Sequence, residues 1–470
     1  MAGVVNAHFA GMPLSEVVPN SAKVSGVSKS SILTGRRRVR FQAQTGTSAN
    51  PGNIVQFVLA DSTCLLDPQS VVFSANVQVN SGSTTATMDD GPAWCRRIQV
   101  TFNGSLLEDL DQAHRNANAL VYAGASKSWV ESAGSFAGYW KDSAELGSST
   151  SAYVTIPTSA TGPASAASTI GAYSRIPGDV KTEATNAGSR YASTSYLAGS
   201  SYAGMPIGVP LGLLSGVFRT QQLLPLSQMG EMVLQITLAQ PGEAIYDPAN
   251  NTTSTYSLND IWLEADLVTP NYLYGQMLNM ICQDENEPGL VVPIETTIVS
   301  QGQSVASTSD NSIVTSRATN NLRKVVVTSC PTDALTAFNY PSVSCFPNAN
   351  FSQAQWRIGS LYFPSQPANS LARAFWMSVG SFNNSEPLNV YDGAINWNTY
   401  GLTTTYSGNN SNLVYNPSVG NTAQLAYNDK FVLAYNFDNF KGGETLDADG
   451  VSILGQSKIN WTCATPIACC

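Results

Sequence analysis

A chain of 470 residues, 43% of them hydrophobic, has room for two or three domains and enough apolar material for a large core. Only 12% of residues are charged and the net charge is −9, which excludes a disordered chain and a surface that coats nucleic acid by displacing its counterions. The 37 glycines and 24 prolines supply turns at the short intervals that an all-β protein needs.

The opening stretch, MAGVVNAHFAGMPLSEVV, has no basic n-region and no unbroken apolar core, so no secretory signal peptide is expected. No run of about 18 apolar residues occurs, so no transmembrane helix is expected either. Residues 1–34 are small and polar and read as an N-terminal arm that orders against a neighbour. Arg36, Arg37, Arg38 and Arg40 follow, interleaved with Val39 and Phe41. They form either a basic patch for nucleic acid or anionic lipid, or an edge-strand face whose charges block further pairing. The acidic balance of the chain favours the edge strand.

Strands are expected at Ile54–Leu59, at Val71–Val79 with its strict alternation of Val71, Phe73, Ala75, Val77 and Val79, and at Ile98–Phe102. Asp89-Asp90-Gly91-Pro92 and Asn103-Gly104 mark turns. The spacing of Leu110, Ala113, Ala117 and Val121 predicts a helix over Glu108–Tyr122, with Glu108, Asp109 and Asp111 near its positive end. Residues 124–204, rich in glycine, serine and alanine, read as a large insertion with a strand-like Val154–Ile156. Trp129, Phe136, Tyr139 and Trp140 should anchor its first part against something apolar. Val209–Gln240 reads as a buried strand, a proline-edged loop and a return strand in which Met232, Leu234, Ile236 and Leu238 share one face. Tyr256–Val268 alternates in the same way.

Tyr272–Gln283 has helical spacing and runs into an acidic stretch ending at Pro288, so residues 272–288 are read as a helical linker between domains. Strands are expected again at Val291–Val299, Arg323–Thr328, Trp356–Phe363, Phe375–Val379, Phe431–Phe437 and Val451–Leu454. Insertions interrupt them at about 333–352 and 383–428, and 463–470 forms a C-terminal tail. The eight cysteines include no CxxC pair, so buried free thiols are expected and Cys469-Cys470 is left open. A faint repeat links Trp94–Phe102 with Trp356–Phe363, each followed by a stretch with helical character, Asp111–Tyr122 and Ala368–Phe375. Together these features predict an all-β chain of two tandem eight-stranded jelly-roll sandwiches, residues 35–271 and 289–462, with long insertions and a few short helices.

Particular segments carry a family likeness. Leu224-Pro225-Leu226 followed by an alternating strand and YSLNDIWLEADLV (256–268) resembles the close of the first jelly roll in double jelly-roll major capsid proteins. QWRIGSLYFPSQP (355–367) and FVLAYNFDNFKGGETLDADGVSI (431–453) are similar to segments of the second jelly roll in such proteins from virophages and polinton-like viruses. The wider lineage includes adenovirus and tailless membrane-containing phages. The resemblance spans most of residues 36–462 and does not extend to the insertion at 143–204. It implies a homotrimer forming a pseudo-hexagonal capsomer in the virion shell of an icosahedral DNA virus. Terminal arms would then meet neighbouring capsomers, penton and minor capsid proteins. Arg36, Arg37, Arg38 and Arg40 would be placed for an internal membrane or the genome.

Enzyme chemistry finds little footing. His8 and His114 lack local partners for a triad or metal site, and a surface or capping role suits His114 better. Glu108, Asp109 and Asp111 suggest a glycosidase carboxylate pair only weakly beside the helix-end reading. Asp247, Asp438, Asp447 and Asp449 read as turn residues rather than a calcium loop. No catalytic, cofactor-binding or metal residue is assigned. The alternative function is a carbohydrate-binding or adhesive β-sandwich, in which Trp129, Tyr139, Trp140, Trp397 and Tyr400 would stack on sugars.

Overall fold

The computed structural model describes residues 33–80, 87–126, 129–130, 132–139, 153–157, 167–171, 205–226, 230–246, 252–272, 294–300, 302–303, 307–315, 319–330, 342–344, 346, 353–358, 360–382, 400, 430–437, 451–453, 457–463 and 468–469. In the first half the principal strands are β1 (Leu33–Gln42), β2 (Ile54–Leu59), β3 (Leu65–Asn80), β4 (Cys95–Phe102), β5 (Ser105–Asp111), β6 (Met205–Pro210), β7 (Met232–Leu238) and β8 (Thr255–Pro270). In the second half they are β9 (Gly302–Gln303), β10 (Ser307–Thr315), β11 (Lys324–Cys330), β12 (Gln353–Ile358), β13 (Leu361–Ala368), β14 (Val432–Asn436), β15 (Ser457–Cys463) and β16 (Ala468–Cys469). Helix α1 (Ala113–Gly124) follows β5, and α2 (Leu371–Phe382) follows β13.

The wiring is the same twice. The first half forms sheets in the order β1-β8-β3-β6 and β2-β7-β4-β5, and the second in the order β9-β16-β11-β14 and β10-β15-β12-β13. Every ladder among these strands is antiparallel. Each half is therefore a jelly roll, two sheets of four principal strands with long crossovers at their ends, to which Ser48–Ala49 and Leu224–Pro225 add short pairings in the first half. The faint repeat falls on equivalent elements: Trp94 leads into β4 and Trp356 lies in β12, and in each half a hairpin and then a helix follow. Ala468–Cys469 pairs with Gly302–Gln303 and Ser329–Cys330, within the stretch expected as a tail.

The period of two locates the core of the first sandwich. Val71, Phe73, Ala75, Val77 and Val79 of β3 are buried, as are Met232, Leu234, Ile236 and Leu238 of β7. Phe73 stacks on Trp94 with ring centroids 4.4 Å apart and meets Phe57 edge-on at 6.2 Å. In β8 the buried positions change parity, from Tyr256 and Leu258 to Ile261, Leu263, Ala265 and Leu267. The register against β3 shifts between Asn259 and Trp262, where Asp260 adopts φ 51° and accepts a hydrogen bond from Asn76 at 2.8 Å. One extra residue in the ladder is what moves the apolar set back onto the core face.

Several expectations were displaced by tertiary packing. Glu108–Asp111 belongs to β5, and the helix begins only at Ala113, after Gln112 at φ 53°. Alternation of buried Glu108 and Leu110 with exposed Asp109 and Asp111 marks the strand. Val209–Phe218 is not a strand beyond Pro210. Two 3-10 turns, Leu211–Leu213 and Val217–Arg219, bury the apolar residues instead, pinned by the Arg219 Nε hydrogen bond to the Gly212 carbonyl at 2.6 Å. Phe375–Val379 is helical. A five-residue window fits both periods, but the Ser370 hydroxyl accepts the Arg373 N–H and caps a helix that buries Ala374, Ser378 and Val379. Trp356–Phe363 is a hairpin of β12 and β13. Residues 294–299 form no strand. The helical reading of Tyr272–Gln283 lies, beyond Tyr272, outside the described residues.

Phe73→Ala would remove a ring held between Trp94 and Phe57 at the centre of the first sandwich. The expected cost is about 3–5 kcal/mol, read from chemical denaturation followed by tryptophan fluorescence.

Candidate functional site: the seam between the sandwiches

The two jelly rolls share one apolar core, which runs from β3 and β7 through Tyr122 and Tyr139 to Phe346, Trp356, Tyr400 and Val432. A buried polar network is set into it. Asp89 and Asp90 stand on the turn after Thr87–Met88, and the Asp89 carboxylate reaches across to the second sandwich. It accepts hydrogen bonds from the backbone N–H of Val343 at 3.0 Å and of Ser344 at 3.2 Å, and from the Ser344 hydroxyl at 2.5 Å. Its own neighbour, Asp90, donates a backbone N–H at 2.8 Å.

Helix α1 supplies the other half of the lock. The Arg115 guanidinium donates to the carbonyls of Ser342 at 2.6 Å and Ser329 at 3.4 Å, and lies 5.2 Å over the Phe346 ring. The Asn118 amide donates to the carbonyls of Asp90 at 3.0 Å and Val343 at 3.1 Å, one from each sandwich. The Tyr122 hydroxyl donates to Asp90 at 3.2 Å, while its ring faces Phe346 at 6.0 Å and the Lys430 ammonium at 5.0 Å. Two carboxylates, a guanidinium and an ammonium thus sit buried together, each with partners, as buried charge requires. Gly91 makes the approach possible: it has φ +69°, and a Cβ there would fall 2.2 Å from the Asn118 amide oxygen.

A second tether uses Glu108. Its carboxylate accepts from the Ser215 hydroxyl, and from the backbone N–H of Gly216 and of Thr297, both at 3.3 Å. Residues 294–300 therefore bond to a side chain of the first sandwich instead of joining a ladder. Asp109 points the other way and holds Arg97 through two 2.7 Å contacts, and Asp111 meets Arg96 at 3.0 Å. Glu108 thus lies on the opposite face of the strand from Asp109 and Asp111, and each of those two is paired with its own arginine, so the three form neither a glycosidase pair nor a helix-end cluster.

His114 is buried, not a surface group. Its Nδ1 accepts the Arg115 N–H at 2.8 Å, and burial together with the neighbouring Arg115 and Arg96 charges pushes its pKa down to about 3. Of the aromatics expected to stack on sugars, Tyr139 and Tyr400 are buried and Trp129 packs on Tyr139 at 6.0 Å. Trp140 and Trp397 lie outside the described residues, as do His8, Asp247, Asp438, Asp447 and Asp449. Phe136, expected as an anchor, is 71% exposed.

The arginine cluster lies on β1, an edge strand paired with β8. Its even positions reach diagonally along β8, Arg36 to Asp266 at 2.7 Å, Arg38 to Glu264 at 2.9 Å and Arg40 over the Trp262 ring at 3.9 Å, and Arg36 also meets Asp67 of β3 at 2.7 Å. Arg37 meets Asp61 at 2.9 Å. The hydrogen bond from Arg38, with that from Trp262, holds the Glu264 carboxyl below its ordinary pKa. The patch is thus largely neutralised within its own sheet.

No protein-family model matches the sequence, and no curated protein matches it. Among solved structures, the chain is similar to the Faustovirus major capsid protein at 8% identity, covering 99% of this chain and 95% of that one with a TM-score of 0.50. It is also similar to a chain in the cryo-EM structure of the Sputnik virophage at 11% identity, covering 98% and 89% with a TM-score of 0.51. At these identities the likeness establishes a shared fold, the double jelly roll.

Two outcomes follow from the seam. Asp89→Ala leaves three backbone N–H groups, those of Asp90, Val343 and Ser344, and the Ser344 hydroxyl buried without their acceptor, at about 1–3 kcal/mol each. Calorimetry should then resolve separate unfolding of the two sandwiches where the parent chain unfolds in one transition. For His114, the unfolded chain takes up a proton near pH 6.5 and the folded chain only near 3, so stability falls as pH drops through that window. In His114→Gln the decline measured by denaturation between those pH values should be shallower.

Proposed function

We propose that this chain is the major capsid protein of an icosahedral DNA virus, a homotrimer whose six jelly rolls form a pseudo-hexagonal capsomer. The observation that carries the reading is the wiring: one eight-strand pattern occurs twice in one chain, and the copies are locked side by side through a buried seam. Two near-equivalent blocks per chain are what a threefold assembly needs to present six similar faces to its neighbours. The shared fold with the Faustovirus major capsid protein points the same way. In this reading the first domain is residues 35–271 and the second 289–462, closed by Ala468–Cys469, with 272–288 as linker.

The role is structural, and no reaction is assigned to any residue. The polar groups of the seam are engaged in holding the sandwiches together. The N-terminal arm, residues 1–34, is the segment assigned to contacts with neighbouring capsomers, penton and minor capsid proteins. The neutralised Arg36, Arg37, Arg38 and Arg40 serve to close the β1 edge rather than to grip a membrane or genome. The burial of Tyr139 and Tyr400 removes two of the rings on which a carbohydrate-binding reading depended.

Purified protein imaged by negative-stain electron microscopy should show six-lobed particles of threefold symmetry, which tile into hexagonal arrays or closed shells at high concentration. Single two-lobed molecules that bind immobilised glycans would instead establish the adhesive sandwich.

A further inference from the structure

The two helices that follow the equivalent hairpins are unequal in their surroundings. Both α1 and α2 are twelve residues long. In α1 only Gly124 is exposed, because the second sandwich covers the helix. In α2 the exposed residues are Ala372, Arg373, Trp376 and Gly380.

Laid position for position, the contrast is specific. The α1 residues that bond across the seam, Arg115, Asn118 and Tyr122, occupy its third, sixth and tenth positions. The third, sixth and tenth positions of α2 are Arg373, Trp376 and Gly380, three of its four exposed residues. An arginine stands third in both. In α1 its guanidinium reaches carbonyls of the second sandwich, whereas in α2 its guanidinium bonds, among the described residues, the nearby Gln366 carbonyl at 2.9 Å. Trp376 is 56% exposed, unusual for an indole on a helix whose other face is core. The opposite side of α2 is fully used: Ser378 bonds the backbone of β14, and Phe382 lies against Gly124 of α1.

We propose that the Arg373–Trp376–Gly380 stripe is an interface to a second copy of this chain, whose first sandwich covers α2 as the second sandwich covers α1 within one chain. The covering element is the end of β3, the counterpart of the β11 end that carries Ser329. This deepens the capsid reading and rests on it. A contact that repeats the intrachain seam from one chain to the next is head-to-tail, and three copies close it into a ring of six sandwiches. Trp376 is its anchor, in the manner of the large aromatic residues that dominate interfaces, and the Arg373 guanidinium, which spends one nitrogen on Gln366, has further N–H groups to give to backbone carbonyls as Arg115 does.

The test is the mass of the full-length protein in solution by light scattering, for the parent chain and for Trp376→Glu and Gly380→Trp. No atom lies within 4 Å of a Cβ added at Gly380, so Gly380→Trp fills open space and should keep the parent circular dichroism spectrum and unfolding midpoint. The expected result is three chains of 49.8 kDa for the parent and a single folded chain for both variants. Variants that remain trimeric like the parent overturn this inference and leave the capsid reading standing. A parent protein that is itself a single chain at all concentrations overturns the capsid reading and this interface with it.

Discussion

Charge buried between two β-sandwiches is the constraint on which this molecule depends. Asp89 leaves one sandwich and finds its hydrogen-bond donors in the other, and Arg115 does the same with carbonyls. Such groups tolerate one relative placement of the two bodies, because any slide leaves a buried charge without its partners. An apolar contact alone would accept small shifts at little cost. The seam therefore converts two jelly rolls joined by a chain segment into one rigid block.

The duplication is one of wiring rather than of chemistry. Equivalent strands occupy equivalent places, yet Trp94 stacks on Phe73 of β3 while Trp356 stacks on Tyr435 of β14. Jelly-roll topology asks only for eight strands with alternating faces and crossovers of adequate length, so the two cores are free to fill their volume differently. The differences collect where the halves meet. Helix α1 carries the polar residues that bond across the seam, and α2 carries a tryptophan and a glycine at the matching positions.

The edges show how the sheets are kept from pairing at random. Strand β1 ends its sheet with a row of arginines laid diagonally over carboxylates and an indole of β8. Exposed ion pairs of this kind contribute little stability, about 0–1 kcal/mol each. Their effect is to put bulky charge along a free ladder edge, where another strand would otherwise add. In a chain of net charge −9, three of these four cations face carboxylates and the fourth an indole.

Much of the fold was legible in the residues themselves. A period of two in Val71–Val79, Met232–Leu238 and Ile261–Leu267 reports which side of a strand faces a core, a property each segment settles locally. The Trp94 and Trp356 segments disclosed the duplicated plan for the same reason. Local pattern was misleading where two periods fit one window, as at Phe375–Val379, or where apolar residues are buried by turns, as at Leu211–Phe218. The seam lay beyond it altogether. Asp89 and Ser344 are 255 positions apart, and nothing around either identifies the other. Sequence determines that a carboxylate sits on a turn. Only the packing of one sandwich on the other decides which backbone groups it must satisfy, because a buried charge is defined by what the distant chain brings to it.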